Sequence, residues 1–471
     1  MSNRRLYIDK AMAAWRRWRD VSNNRRIFSA AVSIGLVSLL VKASFVIKEL
    51  IIAYQFGRSD VLDAYVIAYA LSAFLINVFA SVYGSAFVPV FLRVLTQRGR
   101  AQAQQLLSGA LLGNFVVLTL VCFALWGLGV PIVKVLGSGF TSEKLALTHQ
   151  LFVLLLPATL LGGLIATVAA LLNANERFYA PVLSPLFTSV VTAVALFLFS
   201  KTWGVYALVL GTLLGLSFEL IYLGRIANRS SWHLRPGWKW GSQDRQQLMH
   251  QFAPLMGGVL LTTSLELIDN SMASMLSPGS VSAFSYGTRI SIAVIGLSSV
   301  ALGTAVMPRF SRLVLTGDWR EIKKIFRTYN RLIVIASVPV VAAMVALSEE
   351  LVAILYQRGA FTADDTKLVS QVQTMHILQM PFYLMSILGV RVISAAGRNQ
   401  WLLAIAAANV TLNIIGNYVL MNIIGVAGIA LATTMVVCLS WLTVRLLVSR
   451  MIDRNMADRH ELAQAGPNQW S

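Results

Sequence analysis

Charge is scarce in this sequence. Only 13% of the 471 residues are Asp, Glu, Lys or Arg, whereas 57% are hydrophobic and the mean hydropathy is +0.69. Roughly a quarter of the residues of a soluble globular domain are charged, so this composition excludes a soluble protein. Apolar runs of about 20 residues, the length that crosses a hydrocarbon layer of about 30 Å, recur along the whole chain. The sequence therefore predicts an integral membrane protein.

Cysteine and recognisable catalytic motifs are also scarce. The two cysteines, Cys122 and Cys438, fall within apolar runs and indicate no disulfide framework. The sequence contains no Walker A loop, no HExxH motif and no GxSxG motif, and its five histidines lack the spacing of a metal site. Because the residues form no pattern of a catalytic site, we expect a protein that is not an enzyme.

The apolar runs define about twelve spans and predict an all-α polytopic membrane protein. We number these spans 1 to 12 in chain order. They lie near residues 31–54, 62–89, 106–129, 149–173, 179–200, 203–224, 253–275, 281–307, 328–355, 370–396, 401–421 and 424–448.

Basic residues are distributed unevenly between the loops. They concentrate in the N-terminal tail and in the loops after spans 2, 6 and 8, whereas the alternate loops carry few. Short loops rich in Lys and Arg stay in the cytoplasm, so we expect both termini to be cytoplasmic. This topology accounts for the net charge of +19 without a nucleic-acid partner. The tail over residues 6–20 could lie on the anionic leaflet, with Trp15 and Trp18 as anchors, or remain solvated.

An internal repeat relates the two halves of the chain. Five residues of the first half recur in the second half at a constant offset of 219: Ala64, Gly84, Ala86, Pro89 and Arg93 match Ala283, Gly303, Ala305, Pro308 and Arg312. A second match, GVYALVLGT against GVAGIALAT, has an offset of 221 and relates span 6 to span 12. Spans 2 and 8 both run towards the cytoplasm, so the repeat is parallel. It predicts two six-helix lobes around a central cavity, which is the architecture of a transporter that works by alternating access.

The repeat and the loops also predict the divisions of the chain. These are a basic cytoplasmic tail at 1–28, an N-lobe at 29–226, a cytoplasmic linker at 227–252, a C-lobe at 253–450 and a second cytoplasmic tail at 451–471.

Charged residues inside the spans mark a first candidate site. An ionisable side chain costs about 2.5 to 3.5 kcal/mol at the centre of a membrane helix, so it usually faces the interior of the bundle. Lys42 and Glu49 share one face of span 1 because they are seven residues apart, and Lys48 is displaced by one position. Arg289 lies in span 8, about 12 Å from its outer end, and Asp63 opens span 2.

A cationic cavity lined by these residues would bind a phosphate or pyrophosphate through charge-assisted hydrogen bonds. The alternative is that Lys48 and Glu49 have structural partners and that Lys42 extends to the interface to reach water.

Oxygen-bearing side chains mark a second candidate site. Asn413 and Asn417 lie one turn apart in span 11, and Thr433 of span 12 lies at about the same depth, about 12 Å below the outer surface. Asp269 falls in the outer half of span 7. A site with only oxygen ligands suits a hard cation such as Na⁺. Alternatively, Asn and Thr join neighbouring helices by hydrogen bonds.

Four segments of the sequence form recognisable motifs: FGRSDVLDAYVIAYAL, GSAFVPVFLRVL, VALGTAVMPRFSRLV and LYQRGAFTADDT. They resemble signature segments of the MurJ/MviN family of lipid II flippases, within the larger multidrug/oligosaccharidyl-lipid/polysaccharide exporter superfamily. The resemblance covers roughly residues 30–450. It implies a V-shaped fold of two lobes and the export of a polyprenyl-pyrophosphate-linked sugar across a bacterial inner membrane.

The resemblance also assigns residues. It places the family's substrate-binding charges at Lys42, Lys48, Glu49, Asp63 and Arg289, and its sodium site at Asp269, Asn413, Asn417 and Thr433. Ile76 and Asn77 depart from the family, which has paired arginines at these positions. The sequence ends after span 12, so we do not expect the two further helices that form a lipid-tail groove in the family.

We therefore expect a MurJ-like flippase located in the bacterial inner membrane. Its substrate would be lipid II or another lipid-linked oligosaccharide, such as an exopolysaccharide or O-antigen repeat unit. A cation-coupled multidrug exporter and a membrane glycosyltransferase are the alternatives. The expected partners are the polyprenyl-pyrophosphate-linked oligosaccharide and the bilayer, and we expect a monomer. We expect no cofactor other than a coupling ion such as Na⁺.

Overall fold

The computed structural model describes residues 23–237 and 242–464, and within these ranges the secondary structure is helical, with no strand. Most of the predicted basic tail, including Trp15 and Trp18, lies outside the described residues. So do residues 238–241 of the predicted linker and 465–471 of the second tail.

Seventeen α-helices and one π-helical turn make up the described chain. The first half contains α1 (Asn23–Phe56), α2 (Asp60–Val82), the π turn (Tyr83–Phe87), α3 (Val88–Arg98), α4 (Arg100–Gly127), α5 (Gly129–Leu136), α6 (Ser142–Ala174), α7 (Tyr179–Leu183), α8 (Pro185–Trp203) and α9 (Val205–Arg229). The second half contains α10 (Ser242–Ala273), α11 (Ser280–Thr316), α12 (Trp319–Ala346), α13 (Ser348–Tyr356), α14 (Ala363–Ile377), α15 (Met380–Ala395), α16 (Asn399–Ile424) and α17 (Val426–Gln464).

All twelve predicted spans coincide with helices, which confirms the all-α polytopic fold. Ten helical segments of the described chain are long and apolar enough to cross a membrane. The helices α1 and α10 have 34 and 32 residues but are not among these ten. The described part of α1 contains the charged residues Lys42, Lys48 and Glu49, and that of α10 contains Glu266 and Asp269. The predicted count of twelve membrane spans is therefore not confirmed.

Helices continue through two regions where the sequence predicted an end or a loop. The π turn at Tyr83–Phe87 lets the second span continue past Pro89, which lacks the N–H that the helical hydrogen bond needs. The predicted basic loop after span 8 is reduced to Gly317 and Asp318. Gly317 ends α11 in the left-handed conformation (φ +66°), and Asp318 caps α12 by accepting a hydrogen bond from the Glu321 N–H.

The helices pack as two groups. In the first group, α6 contacts α2, α4 and α9, while α8 lies between α9 and α1. In the second group, α11 packs against α14 and α15, and α17 contacts α14, α15 and α16. The helix α10 contacts both α2 and α16, so it connects the two groups. The predicted domain boundaries stay predictions, but each group corresponds to one half of the internal repeat.

Candidate functional site

Glu49 forms the centre of the first candidate site. Its carboxylate is 2% exposed and lies on the side of α1 that faces the second lobe. The Lys48 Nζ atom is 3.1 Å from Glu49 Oε1, and the Arg289 guanidinium of α11 forms an ion pair with Glu49 Oε2. The Lys48 and Arg289 side chains remain 18% and 31% exposed. One carboxylate compensates only one of the two positive charges, so the cluster keeps a net positive charge.

Lys42 lies further along the same pair of helices. Its Nζ atom is 3.6 Å from the point that a Cβ atom on Gly296 would occupy. Gly296 follows Arg289 by seven residues, and Lys42 precedes Glu49 by seven residues, so α1 and α11 run antiparallel here. Seven residues span about 10 Å of helix, which is the separation of the two contacts. Among the described residues, Lys42 has no ion-pair partner, so its charge remains available.

Asp63 makes its contacts outside this cluster, and its predicted role in substrate binding stays a prediction. Its carboxylate is 1% exposed and accepts hydrogen bonds from the backbone N–H groups of Gly279 (2.8 Å) and Ser282 (2.7 Å). The Lys144 Nζ atom is 2.8 Å from Asp63 Oδ2. The first N–H groups of a helix lack partners within the helix and carry partial positive charge. Asp63 therefore caps α11 across the boundary between the lobes.

Further contacts join the lobes at the same end of the molecule. Arg58 Nε is 2.8 Å from Asp365 Oδ1, and the Ala360 N–H donates to the Tyr54 carbonyl over 2.9 Å. Gly57 has a positive φ of +51°, and a Cβ atom there would overlap the Ala360 carbonyl. We call these contacts, together with those of Asp63, the outer seam, because the predicted topology places them on the periplasmic side. The outer seam therefore joins the two lobes at this end of the molecule.

Sequence reasoning did not identify Lys144 and Asp365 as partners in the outer seam. Lys144 is 81 residues from Asp63, and Asp365 is 307 residues from Arg58. No spacing rule links residues so distant in the sequence. The one available signal concerned the second pair, since Arg58 and Asp365 both lie in segments that resemble the MurJ/MviN family.

The second candidate site is formed as a compact cluster in the second lobe. Asp269 of α10 is 4% exposed, and its Oδ1 atom accepts hydrogen bonds from the Nδ2 atoms of Asn413 (3.0 Å) and Asn417 (2.7 Å). The Thr433 hydroxyl of α17 donates to Asp269 Oδ2 over 3.0 Å. All four predicted residues therefore meet, and they join three helices.

The chemistry of this cluster is compatible with a bound cation. Each of its four side chains carries an oxygen atom, and Asn417 Oδ1 is buried without a hydrogen-bond partner. A buried oxygen without a partner is costly, and a cation would satisfy it. Across the described residues, no group of three or more His, Cys, Asp or Glu side chains could hold a metal ion. A site with one carboxylate suits a monovalent cation such as Na⁺, while the observed amide contacts also join the helices as the alternative predicts.

The chain resembles known proteins over most of its length. The family profile described as lipid II flippase MurJ matches residues 52–460. The probable lipid II flippase MurJ of Synechocystis sp. is 27% identical over 435 residues, which cover 87% of this chain and 79% of the relative. The probable lipid II flippase MurJ of Thermotoga maritima is 26% identical over 397 residues, which cover 82% of this chain and 78% of the relative.

Two solved structures share the fold. One is a lipid II flippase MurJ in an inward closed conformation, with a TM-score of 0.78 at 22% identity over 89% of this chain and 87% of that chain. The other is a multidrug resistance MATE family transporter of the MOP superfamily in an inward-facing conformation, with a TM-score of 0.72 at 13% identity over 90% of this chain and 99% of that chain. The predicted resemblance is confirmed, since the family profile spans most of the sequence: the chain belongs to the lipid II flippase MurJ family.

Proposed function

We propose that this protein is a flippase that moves lipid II across the bacterial inner membrane, with both termini in the cytoplasm. The observation that carries the proposal is the ion-pair cluster of Lys48, Glu49 and Arg289, which contains cations from both lobes. Membership of a family of lipid II flippases supports transport in place of catalysis.

The cluster is suited to a pyrophosphate head group. A pyrophosphate offers several anionic oxygens, and both a guanidinium and an ammonium bind such oxygens through charge-assisted hydrogen bonds. Glu49 pairs with both cations, so the head group would compete with Glu49 for Lys48 and Arg289. Lys42, about 10 Å along the same helix pair, would supply a further positive charge. A ligand that contacts α1 and α11 together would couple binding to the relative position of the lobes.

The outer seam supports an alternating-access cycle. In such a cycle, the state with this seam closed would expose the candidate site at the opposite end of the molecule, which the predicted topology places in the cytoplasm. A head group would enter from that side, and the outer seam would then have to open for its release. Such a cycle needs a ligand with different affinities for the two states.

We also propose that Asp269, Asn413, Asn417 and Thr433 hold Na⁺ as a coupling ion. The sequence contains no nucleotide-binding motif. An ion gradient or the membrane potential, which supplies about 2.3 kcal/mol per charge per 100 mV, is then the available driving force. The buried Asn417 Oδ1 atom without a partner supports a role beyond joining helices.

A second candidate substrate is another lipid-linked oligosaccharide, such as an exopolysaccharide or O-antigen repeat unit. Ile76 and Asn77 favour it, because they replace basic residues of the family and make the cavity less cationic. The Ile76 side chain fills the space beside Gly162 of α6, and Asn77 is exposed. Neither residue supplies positive charge for a larger anionic head group.

The test is export in cells combined with binding to the purified protein. Arg289→Ala should abolish complementation of a strain depleted of its lipid II flippase at unchanged protein level, and should weaken binding of lipid II. Arg225→Ala, which removes an exposed arginine of α9 outside the cluster, is the matched control and should complement. Full complementation by Arg289→Ala would refute the proposed site. Export of an O-antigen unit but not of lipid II by the parent protein would instead favour the second substrate.

A further inference from the structure

A cleft of about 610 Å³ opens on the second lobe, outside the candidate sites described above. It lies between α12, α15 and α17, and Lys48, Glu49 and Arg289 are not among the residues that line it. The wall of the cleft changes from basic to apolar along the length of α12.

One end of the cleft is basic. Lys323, Arg327 and Arg331 follow each other at four-residue spacing on α12, so they share one face of the helix, and Arg445 faces them from α17. Lys323 is 2.7 Å from Asp453, the one acidic residue of the lining. The three arginines form no ion pair with any described residue. Four basic residues and one acidic residue leave this end with a net charge of +3.

The other end of the cleft is apolar and open. Val334, Ile335 and Val338 continue the same face of α12, and these side chains are 40%, 59% and 50% exposed. Exposed aliphatic side chains on a membrane helix are typical of contact with acyl chains. The cleft therefore combines a cationic end with an apolar end, as a binding site for a charged lipid requires.

Two buried polar atoms of the lining residues lack hydrogen-bond partners. These atoms are the Asn330 carbonyl Oδ1, an acceptor, and the Trp441 indole Nε1, a donor. A buried polar group without a partner costs about 1 to 3 kcal/mol, so native proteins usually satisfy it. A ligand with both phosphate oxygens and hydroxyl groups would satisfy both atoms after these side chains rotate towards the cleft.

We propose that this cleft binds an anionic glycerophospholipid, with its phosphate at Arg327, Arg331 and Arg445 and an acyl chain along Val334 and Val338. Basic pockets between membrane helices on the cytoplasmic side are typical binding sites for anionic head groups. The positive-inside rule places the basic end of α12 on that side. A head group such as that of phosphatidylglycerol carries the negative charge and the hydroxyl groups that the lining requires. A zwitterionic lipid has no net negative charge, and inorganic phosphate would leave the apolar end uncovered.

The test compares lipids and matched variants on the purified full-length protein. Phosphatidylglycerol and phosphatidylcholine with identical acyl chains are titrated in detergent, and bound lipid is counted by native mass spectrometry. The parent should prefer phosphatidylglycerol. Arg327→Gln/Arg331→Gln should weaken phosphatidylglycerol binding by about 25-fold, since each basic residue near a membrane surface contributes about a fivefold change.

Two further variants show whether weaker lipid binding comes from the cleft itself or from a general loss of positive charge or of folding. Arg225→Gln/Arg229→Gln removes two exposed arginines at the same four-residue spacing from α9 of the first lobe, and should leave the affinity unchanged. Arg327→Lys/Arg331→Lys keeps the charge and should retain the preference for phosphatidylglycerol, which distinguishes lost charge from lost folding. Equal affinity of the parent for both lipids would overturn the proposal, as would equal losses in the α9 and α12 double glutamine variants. Binding of inorganic phosphate as tight as that of phosphatidylglycerol would show an anion site without a lipid.

Discussion

The outer seam predicts a large conformational effect from one substitution. Asp63→Asn keeps the shape of the side chain but removes its negative charge and turns one acceptor oxygen into a donor. Asp63 contacts the second lobe through two hydrogen bonds, from the Gly279 N–H and the Ser282 N–H. A hydrogen bond to a charged group contributes about 1.5 to 3 kcal/mol, and Asn can accept one of these two bonds without the charge. We therefore expect the closed outer seam to lose about 2 to 3 kcal/mol.

This loss corresponds to a change of about 30- to 150-fold in the ratio of closed to open molecules. The assay uses spin labels at positions 138 and 364, which are exposed and lie on opposite sides of the outer seam, in a background with Cys122 and Cys438 replaced by serine. Double electron–electron resonance on the protein in lipid nanodiscs then gives the two populations directly. Asp63→Asn should show a new long-distance population.

Asp60→Asn is the matched control. Asp60 also contacts Lys144, but its side chain is 55% exposed and both residues belong to the first lobe. Exposed ion pairs contribute little, so the population ratio should change by less than about fivefold. If the two variants shift the ratio equally, or if Asp63→Asn leaves the short distance unchanged, the cap on α11 does not hold the outer seam closed.

Three other predictions follow from the candidate sites and the topology. Glu49→Gln should destabilise the protein by about 1 to 3 kcal/mol, because it leaves two partly buried cations unpaired. It should tighten binding of undecaprenyl pyrophosphate, which no longer competes with a carboxylate, and weaker binding in a thermal-shift titration would contradict this. Na⁺ should shift the distance distribution of the parent between the two states but not that of Asp269→Asn, with K⁺ as the ionic-strength control; an equal shift in both would return the cluster to a purely structural role. A cysteine at position 278 should react with an impermeant maleimide added outside spheroplasts and one at position 320 should not; the opposite pattern would invert the proposed orientation.

Spacing along the sequence predicted which residues share a helix face in each candidate site. It did not predict which residues of distant segments contact them. Asn413 and Asn417 lie one turn apart on a helix, so the sequence alone places them on one face, and the structure places both against Asp269. The sequence left two roles open for Lys48 and Glu49, which could bind substrate or have structural partners, and the structure shows that they pair with each other. The second ion pair of Glu49, with Arg289, depends on how the two lobes meet. Relative lobe positions result from packing between distant segments, which no periodicity encodes.

The basic residues at the start of α12 illustrate the same limit. Their density predicted a cytoplasmic loop, and the helical spacing of Lys323, Arg327 and Arg331 became informative only once α12 was found to begin at Trp319. Asp318 and Gly317 were the local signals for this early start, since they are typical of a helix N-cap and of a helix end. The apolar end of the cleft could not be predicted, because it depends on which face of α12 is left uncovered by α15 and α17.

The internal repeat gives the outer seam a further property. Asp63 and Ser282 occupy equivalent positions of the two halves, at the same offset of 219 that relates the repeated motifs, and they contact each other. Residues related by a two-fold axis can touch only close to that axis, so the cap on α11 lies near the axis that relates the lobes. Two acids at this place would repel each other, whereas one acid and one backbone N–H attract. The two halves differ at this position, with Asp63 in the first half and Ser282 in the second, and this difference makes the contact near the axis attractive. If opening of the outer seam separates the two lobes near this axis, we expect the Asp63 contact to break each time the seam opens.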